Sequence, residues 1–213
     1  MTTESKPARR RYHKGNVAED LMAVAVRILE TERVEDLSVR RLAREVGVTP
    51  ANFYNHFVCL NDLLLDLAAD AFEERRRTLA HITRTSRDRA EAVRRSVVSY
   101  VDLAIDRRQL FRIMFGYIPD ALGHERYRKA SDDAFAALVE LVYGAPIYDG
   151  ADLTRSRQTC KAAYGVFAMG YGLARVVVEG QVPFSPEQRA EMRRFIDSVI
   201  GAFIDGELPE LLA

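Results

Sequence analysis

The sequence predicts an all-α protein. Apolar residues recur three and four positions apart along nearly the whole chain, which is the helical period, and no run of alternating β-branched residues predicts a strand. The chain has 213 residues, of which 48% are hydrophobic and 29% charged. This composition is typical of globular proteins and excludes a mostly disordered chain.

Charge and cysteine usage limit the class further. Basic and acidic side chains balance at 31 each, yet the first residues are basic. We expect residues 1–14 to form a basic flexible tail that either attracts phosphates or is only a solvated terminus. The longest uncharged apolar run, residues 162–174, is shorter than the roughly 18–20 residues that cross a bilayer, so we expect no membrane partner. Cys59 and Cys160 are far apart, which favours a cytoplasmic protein over a disulfide-stapled secreted one.

Three short helices are predicted within residues 15–60. Apolar residues between Val17 and Ile28 share one helical face. Ser38 is a predicted N-cap for a second helix that Gly47 ends. The pair Thr49-Pro50 then predicts a third, brief helix ending near Phe57, because proline is favoured at the first helical position.

Longer helices are predicted in residues 61–213. Asn61 is the predicted cap of the first of these, with Leu60 and Leu65 as a hydrophobic staple. Ser185 and Gln188 have the spacing of a capping box at the start of the last one. The segments predicted in between, and the last itself, are 86–107, 110–115, 124–143, 152–179 and 187–204.

Residues 38–57 have the plan of a helix-turn-helix, in which the second helix enters a major groove of DNA. Asparagine pairs with adenine through two hydrogen bonds, and basic or hydroxyl side chains hold phosphates. We expect Phe53 and Phe57 to face inward, and a generic pair of packed helices is the alternative. The residues expected to contact DNA are Arg40, Arg44, Thr49, Ala51, Asn52, Tyr54, Asn55 and His56.

At these residues the sequence resembles the TetR family of bacterial transcriptional regulators. The matching segments are 37–43, 46–50 and 53–57, within a resemblance that spans residues 15–70. It implies an N-terminal three-helix DNA-binding domain over residues 15–60, a helical ligand-binding and dimerisation domain over residues 61–213, and a homodimer. Two positions depart from the family pattern: Leu60 replaces a common phosphate-contacting lysine, and the glycine usual between the first two helices is missing near Arg33.

Residues 168–174, with 111–116 upstream, resemble the C-terminal domain of the Trp-His-Gly type within that family. Phe167, Tyr171 and Gly172 would stand at the three name-giving positions. Most of the aromatic residues in this part are expected to belong to the core, and a subset is expected to line an apolar cavity in which tyrosine hydroxyls and Arg175 orient a ligand. The candidate ligand residues are Phe111, Met114, Phe115, Tyr127, Tyr164, Phe167, Tyr171 and Arg175.

Enzyme signatures are missing from the sequence. It has no G-x-S-x-G, P-loop or CxxC motif, and four scattered histidines with two cysteines form no recognisable metal set, so we expect no cofactor and no metal. Residues 75–77, three consecutive arginines, are expected to form a solvated face. The resulting hypothesis is a homodimeric repressor that a small-molecule effector releases from a palindromic double-stranded DNA operator. The alternative is a helical small-molecule carrier or enzyme that binds no DNA.

Overall fold

The computed structural model describes residues 16–116, 118–119, 121–182 and 184–204, so the basic tail predicted for residues 1–14 lies outside the described residues. Within these ranges the chain forms ten α-helices, three short 3₁₀ turns and no strand, which confirms the all-α prediction. The chain divides between Leu63 and Leu64 into two compact units.

The N-terminal unit contains α1 (Val17–Leu29), α2 (Val39–Val46), α3 (Pro50–Phe53) and the first turn of α4 (Leu60–Thr85). The first three helices pack against one another. Apolar burial holds them together, and the fully buried side chains include Leu21, Leu42 and Phe53.

Local capping chemistry sets the ends of α2 and α3 as predicted. The Ser38 hydroxyl accepts the N–H of Arg41 at 3.3 Å, and the Thr49 hydroxyl accepts the N–H of Asn52 at 3.3 Å. Gly47 ends α2 with φ +83°, a left-handed conformation that side chains disfavour.

Two predicted N-terminal details are wrong. Helix α3 ends at Phe53 rather than near Phe57, and residues 54–56 continue as hydrogen-bonded turns. Helix α4 begins at Leu60, so Asn61 lies inside its first turn and is not its cap. Instead the Asp62 carboxylate reaches back and accepts the N–H of Val58 at 2.9 Å. Because Leu60 lies inside the helix and does not precede its cap, Leu60 and Leu65 do not have the positions of the predicted staple.

The C-terminal unit is built around α5 (Arg89–Asp106), which packs against α6 (Arg108–Met114), α7 (Glu125–Tyr143) and two further helices, α9 (Lys161–Val178) and α10 (Arg189–Ile204). Buried apolar side chains of α4, α5 and α10, joined by others from α6, α7 and α9, form its main core. The predicted ends of α7 are confirmed, because His124 precedes the helix and Gly144 ends it in a left-handed conformation. The Ser185 N–H donates to the Gln188 amide oxygen at 2.9 Å, but this pair starts a 3₁₀ turn, Pro186–Gln188, and α10 begins only after that turn, at Arg189.

The single helix predicted over residues 152–179 is two helices, α8 (Leu153–Thr159) and α9, separated at Cys160. Cys160 has φ −104° and ψ 27°, and it is fully buried in a small cluster with Val139 and Ala163. The Ser156 hydroxyl on α8 also exchanges two hydrogen bonds with the backbone of Asp149. These tertiary anchors interrupt a stretch in which neither glycine nor proline marks the break.

None of the helices in the described ranges has the length and apolar character that a membrane span requires.

Candidate nucleic-acid interface and ligand cavity

The segment that starts at Thr49 separates its side chains between core and solvent. Phe53 is completely buried and Phe57 nearly so, and their ring centroids lie 5.4 Å apart. Between them, Tyr54, Asn55 and His56 are exposed, with 59% of the Tyr54 surface accessible. The two phenylalanines therefore anchor a turn that presents three polar or aromatic side chains outward.

Basic and hydroxyl groups border this turn. Arg40 and Arg44 on α2 are exposed, as are Thr49 and Ala51. The Thr49 oxygen accepts the capping hydrogen bond, but its own O–H remains a donor that can reach a phosphate. The arrangement supplies phosphate donors beside groups able to contact base edges.

Asn52 differs from the other predicted DNA-contacting residues. Its side chain is half-buried, and its amide oxygen is buried without a hydrogen-bond partner among the residues that the structure describes. The outward surface of this segment is therefore carried by the residues around Asn52 more than by Asn52 itself.

Other arginines of the N-terminal unit are held in ion pairs. Arg41 donates to both carboxylate oxygens of Glu32 at 2.6 Å, which holds the pKa of Glu32 below its ordinary value. Arg27 pairs with Glu45 at 3.1 Å. Arg41 and Arg27 thus brace the unit, and no such ion pair holds Arg40 or Arg44 within the described part of the chain.

The C-terminal unit contains a partly open cavity of about 60 Å³ between α4, α5, α7 and α9. Most of its walls are apolar, and the polar groups among them come from one arginine, one tyrosine and two serines. Its lining residues are Phe72, Arg75, Leu79, Ser96, Val97, Tyr100, Phe115, Ser131, Ala134, Phe135, Leu138, Val166, Phe167 and Gly170.

Phe115 and Phe167, both candidate ligand residues, line this cavity. The same two rings also border an open apolar groove, to which Met114, Tyr127 and Tyr171 contribute. The Tyr127 hydroxyl is engaged there, because it donates to the Met114 carbonyl oxygen at 2.6 Å.

The remaining candidates lie elsewhere. Phe111 and Arg175 border a second open groove with Tyr171, and Arg175 is ion-paired with Glu179. Tyr164 packs on Phe135 with ring centroids 4.6 Å apart and lines none of these spaces. The structure therefore distributes the predicted ligand residues over one cavity and two grooves.

Comparisons with solved structures identify the fold. A protein of unknown function from Rhodococcus sp. RHA1 is 25% identical and superposes with a TM-score of 0.70, over 90% of this chain and 97% of that one. A TetR transcriptional regulator from the same organism is 14% identical, with a TM-score of 0.58 over 88% and 97% of the two chains. FadR from Bacillus subtilis, solved with stearoyl-CoA, is 14% identical, with a TM-score of 0.59 over 88% and 98%.

The chain has the TetR-family fold. The fold implied by the sequence resemblance is thereby confirmed over about nine tenths of the chain, well beyond residues 15–70. No protein-family model matches the sequence. No curated protein matches it either.

Within this TetR-type fold, the most polar residues of the cavity are ones that the sequence analysis did not select. Arg75 was expected on a solvated face with its two neighbours, and Arg76 and Arg77 are indeed exposed. Arg75 itself is 9% exposed and lines the cavity, so its assignment was wrong. The signal was present: position 75 falls three after Phe72 and four before Leu79, on the buried stripe of α4.

Proposed function

We propose that this protein is a DNA-binding transcriptional regulator that a small molecule controls. The observation that carries the proposal is the outward presentation of Tyr54, Asn55 and His56 between two buried phenylalanines. A short, rigidly anchored segment of this kind can enter a major groove, where asparagine reads adenine and aromatic or methyl groups contact thymine.

The phosphate backbone supplies the remaining affinity in this proposal. Arg40, Arg44 and Thr49 would contact phosphates on either side of the groove and fix the register, without reading sequence. Each arginine that neutralises a phosphate releases counterions, so binding should weaken steeply with salt.

A homodimer would place two reading segments on one duplex. Helix α10 exposes Phe195 (38%) and Phe203 (53%) in the single chain. Helix α9 exposes a stripe of small residues with helical spacing, which permits close helix approach: Ala162, Gly165, Ala168 and Gly172. These two faces together are suited to a four-helix interface between two copies of the chain.

The effector would bind in the C-terminal unit and favour a dimer whose reading segments no longer match the operator. Such couplings are typically about 1–3 kcal/mol, which changes DNA affinity about 5- to 150-fold. FadR from Bacillus subtilis, which has a similar fold, was solved with stearoyl-CoA, and this precedent supports control of the proposed regulator by a small molecule. The proposed regulator acts as a repressor in the cytoplasm and catalyses no reaction.

Selection from a randomised duplex pool at low salt tests this function. We expect the full-length protein to enrich a partly palindromic sequence whose half-sites lie about one helical turn, or a multiple of it, apart. A gel-shift assay with the DNA upstream of the protein's own gene tests the same binding on a natural sequence. If no duplex is retained at low salt, the regulator proposal is wrong and a ligand carrier without DNA binding replaces it.

A further inference from the structure

A positive charge lies buried in the C-terminal unit without a carboxylate partner. Arg75 donates from Nη1 to the Ser99 hydroxyl at 2.6 Å and from Nη2 to the Ser96 carbonyl oxygen at 2.9 Å. These contacts occupy two of the five guanidinium N–H donors. Among the described residues, no aspartate or glutamate oxygen lies within ion-pairing distance of it.

Two acidic side chains of α4 and α5 that border a surface pocket with Arg75 are paired with other arginines. Glu74 accepts from Arg107 at 2.8 Å. Asp102 accepts from Arg189 and from Arg193, each at 2.8 Å. Burial lowers the pKa of Arg75 to about 10, so the guanidinium still carries its charge at neutral pH. A buried charge without a counter-ion is costly, and an anion in the cavity would relieve that cost.

Tyr100 provides a second unsatisfied group at the same place. Its ring lies beneath the Arg75 guanidinium, 5.1 Å from carbon to centroid. The residue is 6% exposed, and its hydroxyl has no hydrogen-bond partner within the described part of the chain. A buried hydroxyl without a partner is rare in folded proteins and points to a missing acceptor or donor.

Both groups line the 60 Å³ cavity, together with Ser131. A volume of roughly 10–15 Å³ accommodates one water-sized group on this scale, so the cavity holds a carboxylate and a few carbons. Phe115 and Phe167 line both this cavity and the outer apolar groove, so the apolar part of a ligand would lie against these two rings.

We propose that this cavity binds an organic carboxylate with an apolar body, its carboxylate held by Arg75 and the Tyr100 hydroxyl and its chain directed toward Phe115 and Phe167. The inference rests on the proposed function, in which this ligand is the effector. It concerns the chemical class of that effector, which neither the fold nor the helix-turn-helix determines.

Direct binding to the full-length protein tests the proposal without DNA. Calorimetry would compare three carboxylates, propanoate, octanoate and benzoate, with their neutral amides. We expect at least one acid to bind tenfold or more tightly than its amide. If every amide binds as well as its acid, or if no acid binds, the proposal is overturned.

Three variants locate the charge recognition. Arg75→Met should abolish the preference for acid over amide. If Arg75 had only a structural role, the substitution would lower the affinity for the acid and for the amide equally. Arg76→Met, one residue along and exposed, is the matched control and should keep the preference. Tyr100→Phe should lower the affinity for the acid several-fold while leaving the melting temperature of the unliganded protein unchanged or higher, because it removes only an unpartnered hydroxyl.

The outcomes separate this inference from the proposed function. Should Arg75→Met fail to fold by circular dichroism, Tyr100→Phe carries the test, and undiminished acid affinity in that variant contradicts the proposal. A protein that selects DNA but does not discriminate acids from amides contradicts only the ligand class. A protein that binds an acid but no DNA contradicts only the regulator.

Discussion

Phe53 and Tyr54 are consecutive residues whose side chains face opposite environments. Phe53 has no exposed surface, whereas Tyr54 is 59% exposed, and the two rings meet edge to face at 5.4 Å with an interplanar angle of 80°. The buried ring fixes the backbone of the turn, and the exposed ring is left free for a partner.

This division predicts separate effects on stability and binding. Phe53→Ala should lower the free energy of unfolding by about 3–5 kcal/mol, because it removes a buried aromatic side chain. Tyr54→Ala should change it by less than about 1 kcal/mol, because most of that ring is in water. Urea unfolding followed by circular dichroism measures both, and equal losses would contradict the assigned directions of the two rings.

Adjacent arginines on α2 offer a second contrast. Arg40 is exposed and Arg41 makes two hydrogen bonds to Glu32. Arg40→Ala should weaken binding to all duplexes similarly and reduce the salt slope of DNA affinity by about 1, with unfolding unchanged.

Arg41→Ala should instead shift the urea midpoint downward, because it breaks the paired contact with Glu32. Fluorescence anisotropy over a range of salt concentrations, together with urea titrations, distinguishes the two variants. An Arg40→Ala protein with an unaltered salt slope would remove Arg40 from the DNA contacts.

The caps of the DNA-binding segment were predictable because their chemistry is local. Ser38, Gly47 and Thr49 each act on backbone groups within a few residues, so sequence spacing alone specifies them. Asn61 shows the limit of that reasoning. Its side chain is able to cap a helix, but the next residue, Asp62, is the one whose carboxylate accepts the N–H of Val58 before the helix.

Features that depend on contacts distant in sequence were not predictable. The break at Cys160 follows from its burial beside Val139, which lies on another helix. The spacing of Arg75 from Phe72 and Leu79 places it on the buried face of α4, but only the three-dimensional structure shows that α5 supplies Ser96 and Ser99 to accept its hydrogen bonds. The sequence therefore predicted two aromatic residues that line the cavity, Phe115 and Phe167, but none of the polar residues that line it.

Alkaline pH should diminish the contribution of the Tyr127 hydroxyl to the free energy of unfolding. Its hydroxyl donates to the Met114 carbonyl oxygen at 2.6 Å, and burial raises its pKa above the ordinary value of 10. The folded state favours the neutral phenol, so this stabilisation is complete below about pH 10 and is lost as the pH rises through the higher folded-state pKa.

Tyr127→Phe should accordingly lower the free energy of unfolding by about 1–3 kcal/mol at neutral pH, since it leaves a buried carbonyl without its donor. The difference in the free energy of unfolding between the variant and the wild-type protein should become smaller above about pH 10. Urea unfolding of both proteins at neutral pH and in alkaline buffer provides the comparison. A difference that widens with pH would contradict the sign of the shift.

The exposed apolar face of α10 predicts the oligomeric state. Wild-type protein should sediment with twice its chain mass of 24.1 kDa. Phe203→Asp should shift it to the monomer, because a carboxylate would be buried at the interface. Leu122→Asp, at another exposed apolar residue (67%), is the control and should remain dimeric; a dimeric Phe203→Asp protein would place the interface elsewhere.

The most direct test of the DNA-reading segment is sequence preference in the double variant Tyr54→Ala/Asn55→Ala. Anisotropy would compare a duplex selected by the wild-type protein with a scrambled duplex of equal composition. We expect the double variant to bind both with nearly equal affinity, to keep its low-salt binding through Arg40 and Arg44, and to retain wild-type helix content. A double variant that still prefers the selected duplex as strongly as the wild-type protein would show that DNA is read elsewhere on the molecule.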